Sequence, residues 1–349
     1  MKKKGLTLFV IICILILLIS GCTEKNNNSQ PNNQTYDLFV DDNYNINTIG
    51  WQLDHFSNIT DALINSKDNY SIFVHRGHYN ETLIIDKSIS LHGEDPYTTI
   101  IDGQSKIDDV IFVEESARIS LSGFRIQNTG NDEIYVNDNA GLDLRSSGNK
   151  IKKNIFINNT FGVCSKSNGE NNITDNMFFE NIEYAMYINS HDNSISNNIF
   201  DSNDCGIRVK GARNSIIFNN VFIHNRRALY FCCGAEYNIV FGNIFYNNSK
   251  WDMTDFYENN WDTTIPSKWH QFDEIKLKQN ISDGPIGNYW DNFHEETQGA
   301  YDNDSDGIID SPYPIPKSDN FDEFPLAEMP AINNSFYAND DFPDSWSLH

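Results

Sequence analysis

IKKNIFINN (151–159), ITDNMFFEN (173–181), ISNNIFDSN (195–203) and IFNNVFIHN (217–225) are one phrase repeated every 22 residues, and VFGNIFYNN (240–248) follows one residue late. Four columns run through the copies. They are Ile151, Ile173, Ile195, Ile217 and Val240; Asn154, Asn176, Asn198, Asn220 and Asn243; Phe156, Phe178, Phe200, Phe222 and Phe245; and Asn159, Asn181, Asn203, Asn225 and Asn248. A fixed period with like residues in like places means one structural unit stacked on copies of itself.

The unit reads as a β-coil. Helical repeats are longer, about 33 to 47 residues. Here short Ile, Val, Phe and Tyr runs are broken by Asn, Gly, Ser and Asp, the mark of strands and turns. Ile151 and Phe156 are both apolar but an odd number of positions apart, so a straight strand would face them oppositely. The chain must bend between them, at Asn154 and its equivalents. A third strand alternates. Val163, Ala185, Ile207 and Leu229 are expected inside, followed by Ser165, Tyr187, Val209 and Phe231, with Cys164, Met186, Arg208 and Tyr230 outside. Three short strands per turn make an all-β, single-stranded, right-handed parallel β-helix. About eight coils fit between Ile72 and Asn248, a rod of roughly 40 Å at ~4.8 Å per coil. Stacked Phe rings fill it, and Asn amides hydrogen-bond from coil to coil at the bends.

Outward from the repeat, the chain divides into five parts. Residues 1–21 read as a signal peptide: Lys2, Lys3 and Lys4, an apolar run from Leu6 to Ile19, then Ser20-Gly21-Cys22. The small-small-Cys ending resembles a prokaryotic lipoprotein box, with Cys22 the lipidated residue, and residues 22–36 a flexible linker. Residues 37–250 form the β-helix, with a short amphipathic helix (Phe56, Ile59, Leu63 and Ile64 on one side) capping its first coil. Residues 251–327 are an irregular C-terminal cap and 328–349 an acidic tail. A break in the early coils places a loop at Gly130 to Asn139.

The formal net charge is -24. Such a chain repels nucleic acid and anionic lipid surfaces. Outside the signal, the cysteines beyond Cys22 are Cys164, Cys205, Cys232 and Cys233. The coil register offers no obvious disulfide pair, with Cys232 facing out and Cys233 in.

Two long segments are familiar. IFVHRGHYNETLIIDKSISLHGEDPYTTIIDG (72–103) resembles the opening coils of extracellular right-handed β-helix proteins. GNYWD (287–291), YDNDSDGIIDSPYPIP (301–316) and NFDEFPL (320–326) resemble the C-terminal end of the periplasmic copper-binding NosD family. The resemblance implies an extracytoplasmic location, at the cell surface or in the periplasm. It also implies an accessory role in copper delivery to a reductase. The chemistry of the chain argues against copper: His75, His78 and His92 lie near one another, but their spacing is not a metal motif and methionines are few.

Asp302, Asp304, Asp306 and Asp310, with Gly307 at the sixth position, match a calcium loop of EF-hand type, the backbone carbonyl of Ile308 supplying the seventh position. Tyr313 stands where a closing Glu belongs, so affinity is expected to be weak. For glycan chemistry the candidates are Asp201, Asp204, Arg208, Lys210, Arg213, His224, Arg226 and Arg227. Gly206-Ile207-Arg208-Val209-Lys210 resembles a substrate-binding segment of polygalacturonases, whose paired aspartates and Gly-His-Gly are absent from the preceding coils. Trp251, Trp261, Trp269, Tyr289 and Trp290 either stack sugar rings or plug the last coil. The expected role is a monomeric, membrane-anchored binding or scaffolding module for a polysaccharide or an envelope protein. The competing class is a polysaccharide lyase, hydrolase or epimerase.

Overall fold

The computed structural model describes residues 35–106, 108–130, 139–167, 169–249, 251–263, 285–330, 332 and 334. The expected signal peptide, Cys22, Trp269 and most of the loop at 130–139 lie outside the described residues, as does the side chain of Trp251.

The chain winds as a right-handed parallel β-helix with three sheets of ten, nine and eight strands. Every strand pair along the solenoid is parallel, and each sheet takes one strand from each coil. The coils are in register: Phe156 pairs with Phe178, Phe178 with Phe200, Phe200 with Phe222, and Phe222 with Phe245. Phe178 and Phe200 stack with centroids 4.8 Å apart and planes 9° from parallel. That distance is the strand spacing of a sheet, so the backbone sets it.

Each bend between sheets needs one residue in the left-handed region. Lys153, Asp175, Asn197, Asn219 and Gly242 fill it before one Asn column, and Asn158, Glu180, Ser202, His224 and Asn247 before the other. The Asn that follows is buried and bonds along the stack. Asn198 Nδ2 donates to Ile173 O at 2.9 Å and to Asn220 Oδ1 at 3.0 Å, and the Asn198 backbone N–H donates to the same oxygen at 2.9 Å. A third ladder, not read from the sequence, runs through Asn149, Asn171, Asn193, Ser215, Asn238 and Asn259.

One strand departs from the expected facing. Phe161 pairs with Tyr184, and Val163 with Met186. The turn after Asn181 holds one residue more than its neighbours, so the strand Tyr184–Ile188 starts late. Met186 and Ile188 therefore point inward, fully buried, and Tyr187 points outward, opposite to the expectation. Cys232 faces out as expected and is packed, but Cys233 sits in the following turn and is exposed. None of the four cysteines of the described residues, Cys164, Cys205, Cys232 and Cys233, is in a disulfide.

At the N-terminal end the helix Ile59–Asn65 buries Ile59, Ala62 and Leu63. Ile64 is 67% exposed and does not share that face. At the other end the solenoid runs beyond residue 250. Trp251–Thr254 completes the third sheet, and Tyr289–Trp290 extends the second. Trp290 stacks on Phe245 at 4.5 Å and Tyr313 on Trp290 at 4.3 Å, which closes the aromatic column. Trp261 and Trp290 are fully buried and plug the coil, and Tyr289 is nearly buried on the outer side of the second sheet beside Ile244, so none of the three has a face left for a sugar.

Two buried carboxylates seal the ladders here. Asp322 Oδ2 accepts from Asn288 N at 2.7 Å, Asn288 Nδ2 at 3.2 Å and Trp290 Nε1 at 2.9 Å. Asp255 accepts from Asn259 Nδ2 and Trp261 Nε1, both at 2.9 Å. Burial pushes Asp322 up to about 7 while the N–H donors pull it back. The segment beyond Glu328 is not loose where it is described. Met329 and Ile332 pack on the outer apolar column of the second sheet (Ile155, Met177, Ile199, Val221, Ile244), and Asn334 Nδ2 donates to Asn197 O.

Asn198→Leu strands the Asn176 donors and the Ile173 carbonyl in a dry interior, at about 1–3 kcal/mol for each unsatisfied group. Denaturant unfolding should show a loss of at least ~2 kcal/mol. Ile84→Asn, at a position 66% exposed, should change stability by less than ~0.5 kcal/mol.

Candidate functional site

The outer face of the third sheet gathers side chains that the inner packing does not use. Strand alternation places Asp143, Cys164, Tyr187, Arg208 and Tyr230 in one outward column, in register from coil to coil. Phe161, Tyr184, Cys205 and Arg227 form the next. Lys210 lies one step beyond Val209, on the same face, paired with Cys232.

Arg208 is the centre of this surface. Its guanidinium carbon lies 5.2 Å from the Tyr184 ring, 5.7 Å from Tyr187 and 5.6 Å from Tyr230. Its Nη1 donates to Tyr184 Oη at 2.7 Å. Its Nε is buried and has no hydrogen-bond partner among the described residues. Arg227 sits 5.2 Å over the Tyr230 ring, and the neighbouring Tyr187 hydroxyl raises the pKa of Lys210. None of these three cations is ion-paired to a carboxylate among the described residues. Contacts of this kind hold a cation at roughly 0.5–2 kcal/mol each without neutralising it.

Toward the N-terminal coils the same face carries two acids. Asp143 is 1% exposed. It takes a two-pronged contact from Arg145, at 3.0 and 2.7 Å, and lies 3.7 Å from Lys166. Asp109 Oδ1 accepts from Ala140 N at 2.7 Å. Burial, then the negative charge of Asp143, pushes Asp109 up to about 7.

The expected catalytic set does not assemble. Asp201 is on the second sheet, where its Oδ1 contacts Ser202 Oγ at 2.8 Å and His224 Nδ1 at 3.2 Å. Asp204 and Arg226 pair with each other at the bend, Nη2 to Oδ2 at 2.6 Å. Arg213 pairs with Glu236 at 3.3 Å in the turns that follow the third-sheet strands. Only Arg208, Lys210 and Arg227 share the third-sheet face. Tyr230 stands outside beside Arg208 as expected, but Tyr184 and Tyr187 were missed as partners because the register slip falls on their strand. A tyrosine predicted among stacked aliphatics, with Met186 beside it, was the available signal.

In the acidic loop, Asp302, Asp304 and Asp306 bring one oxygen each within 4.8 Å of one another, and no other such His, Cys, Asp or Glu group occurs among the described residues. Asp310 is not in this group. It accepts from Asn303 N at 2.7 Å and from Asn303 Nδ2 at 2.8 Å. The three early histidines are held apart: His78 faces Asp102 at 3.1 Å, His92 faces Ser122 Oγ at 2.9 Å, and His75 lies 3.4 Å from Glu94. Those partners supply hard oxygens and no soft donor, a poor fit to copper.

Fold and face together define a class: an elongated parallel β-helix with a basic, aromatic outer sheet. The chain belongs to the NosD family, described as a periplasmic copper-binding protein, which it matches over residues 69–295. The family's description agrees with an extracytoplasmic location. No curated protein matches the chain. Among solved structures it is similar to the pectin methylesterase of Aspergillus niger, at 12% identity and TM-score 0.41, covering 65% of this chain and 85% of that one. It is also similar to the pectin methylesterase of Erwinia chrysanthemi (10%, TM-score 0.35, 72% and 99%). A third is an alginate lyase of a Paenibacillus species (14%, TM-score 0.34, 58% and 96%). At that depth neither esterase nor lyase chemistry transfers.

The raised Asp109 fixes the sign of a pH effect. The unfolded carboxyl ionises near 4, the folded one near 7. Its stabilising contribution is complete below about 4 and fades as pH climbs to about 7. Melting of Asp109→Asn against the parent should show a gap favouring the variant that opens between those pH values. A constant gap would reject the assignment.

Proposed function

We propose that this protein is an extracytoplasmic module, tethered through lipid on Cys22, that binds an anionic polysaccharide along the outer face of its third sheet. The observation that carries the reading is the Arg208 cluster. On a chain of net charge -24, Arg208, Lys210 and Arg227 stand together, unneutralised by described carboxylates and framed by Tyr184, Tyr187 and Tyr230. The partly exposed rings of Tyr184 and Tyr230 offer flat apolar area to a sugar face. The guanidinium fork matches a carboxylate. The coil spacing also suits a linear chain, since it repeats the cluster's columns along the rod.

Titration calorimetry with polygalacturonate and alginate tests this directly. Arg208→Ala and Tyr230→Ala should each weaken binding at least tenfold, about 1.4 kcal/mol, and added salt should weaken the parent. Equal affinity in parent and variants, or no binding to any uronate polymer, rejects it. A reducing-sugar and unsaturated-product assay on the same polymers separates binding from turnover. Turnover lost in Asp109→Asn or Asp143→Asn would replace the binding reading with an enzymatic one.

A structural calcium ion at the acidic loop is a second reading, favoured by the clustered oxygens of Asp302, Asp304 and Asp306. Hard carboxylates suit Ca²⁺, which would neutralise their mutual repulsion. The loop also borders the cap: Ile309 N donates to Pro325 O and Ala327 N to Gly307 O, at 2.8 and 3.0 Å. Millimolar calcium should raise the melting temperature by a few degrees, through roughly 1 kcal/mol of binding energy at an excess of several Kd. Asp304→Asn should abolish the rise. A melt indifferent to calcium and chelator rejects the ion.

A further inference from the structure

The turn-rich segment before the first coil exposes aliphatic side chains that the fold does not need there. Ile46 is 83% exposed, Ile49 94% and Leu53 80%, with Trp51 half-buried among them. The segment is built. Tyr44 N donates to Asp41 O at 2.9 Å, Thr48 N to Asn45 O at 2.8 Å, Trp51 N to Thr48 O at 3.0 Å and Leu53 N to Gly50 O at 2.9 Å. Asn45 N also bonds Thr48 Oγ1 at 3.0 Å, and Gly50 holds the left-handed turn at φ 86°. A self-bonded loop presenting three aliphatic residues keeps them in water at a cost, which is the mark of a docking surface.

We infer that Ile46, Ile49 and Leu53 dock into a lipid surface of neutral headgroups, with Trp51 at the interface. The inference rests on the lipid anchor at Cys22. The position of the loop in the chain selects lipid over another occupant. The described structure begins at residue 35, and only the polar residues 23–34 separate it from Cys22, a reach of at most about 45 Å. That tether holds the first coil against the bilayer at high effective concentration, where weak insertion becomes populated. A lipid anchor and a protein-borne apolar contact together give stable attachment that a single acyl chain does not. Trp is the residue suited to the headgroup level. Asp41, Asp42 and Asp54 flank the loop and disfavour anionic headgroups. The rod would stand with its first coil on the membrane.

Full-length, lipid-modified protein in phosphatidylcholine vesicles with acyl-chain-brominated lipid tests this. Brominated lipid should quench a component of the parent's tryptophan emission that is missing in Trp51→Phe. Ile46→Ser/Ile49→Ser/Leu53→Ser should lose the same component at an unchanged melting temperature. Equal quenching in parent and Trp51→Phe overturns the inference, as it would if the loop instead met a protein. The anchor is read separately, by whether Cys22→Ser releases the protein from the vesicles. If the parent carries no lipid, the same quenching at millimolar phosphatidylcholine decides the loop alone: a Trp51 component sustains it, and none overturns it.

Discussion

The structure depends on a hydrogen bond that points one way. In the two ladders of the repeat an Asn donates its backbone N–H and its Nδ2 to the side-chain oxygen of the Asn one coil later. The second Nδ2 hydrogen reaches back to a carbonyl of the preceding coil. Each buried amide is thereby satisfied, and each bend is tied to both neighbours. Dry, unpaired amides would each cost more than a net hydrogen bond returns, so the ladder is stable only as a continuous stack.

A directional stack has two unlike ends. At the N-terminal end the first Asn oxygens accept backbone N–H groups, from Phe124 to Asn154 and from Ile119 to Asn149. At the C-terminal end the last Asn presents two donors with no further coil to receive them. Asp322 takes both from Asn288, Asp255 takes the Nδ2 of Asn259 while the Asn259 backbone N–H turns to Tyr257 O, and each carboxylate also takes a buried indole N–H. Buried carboxylates are expensive unless paired or richly hydrogen-bonded, and these are placed where aligned N–H groups gather. The plug of Trp261, Trp290 and Tyr313 thus ends the apolar column and the polar ladders together.

With bends and interior committed to stacking, the outer sheet faces are where the coils can differ. The second sheet's outer column is apolar and meets the chain beyond residue 325. The third sheet's outer column is aromatic and basic around Arg208, acidic around Asp109 and Asp143. The coil spacing brings residues 22 or so apart into contact, which gives a polymer-sized surface built from single substitutions in successive repeats.

The period and the Asn and Phe columns were legible in the residues, because a regular spacing maps directly onto a regular stack. The facing of Tyr184–Ile188 was not. Side chains alternate with period two, so one residue added after Asn181 reverses a whole strand, and nothing local announces on which side of the turn it is absorbed. The carboxylates that end the ladders were equally hidden, since Asp322 lies far along the chain from Asn288 and meets it only when the cap folds back. Sequence alone determined what repeats; tertiary structure decided which side chains face out and which distant groups finish the stack, because hydrogen-bond completion at an end is a property of the assembled coil.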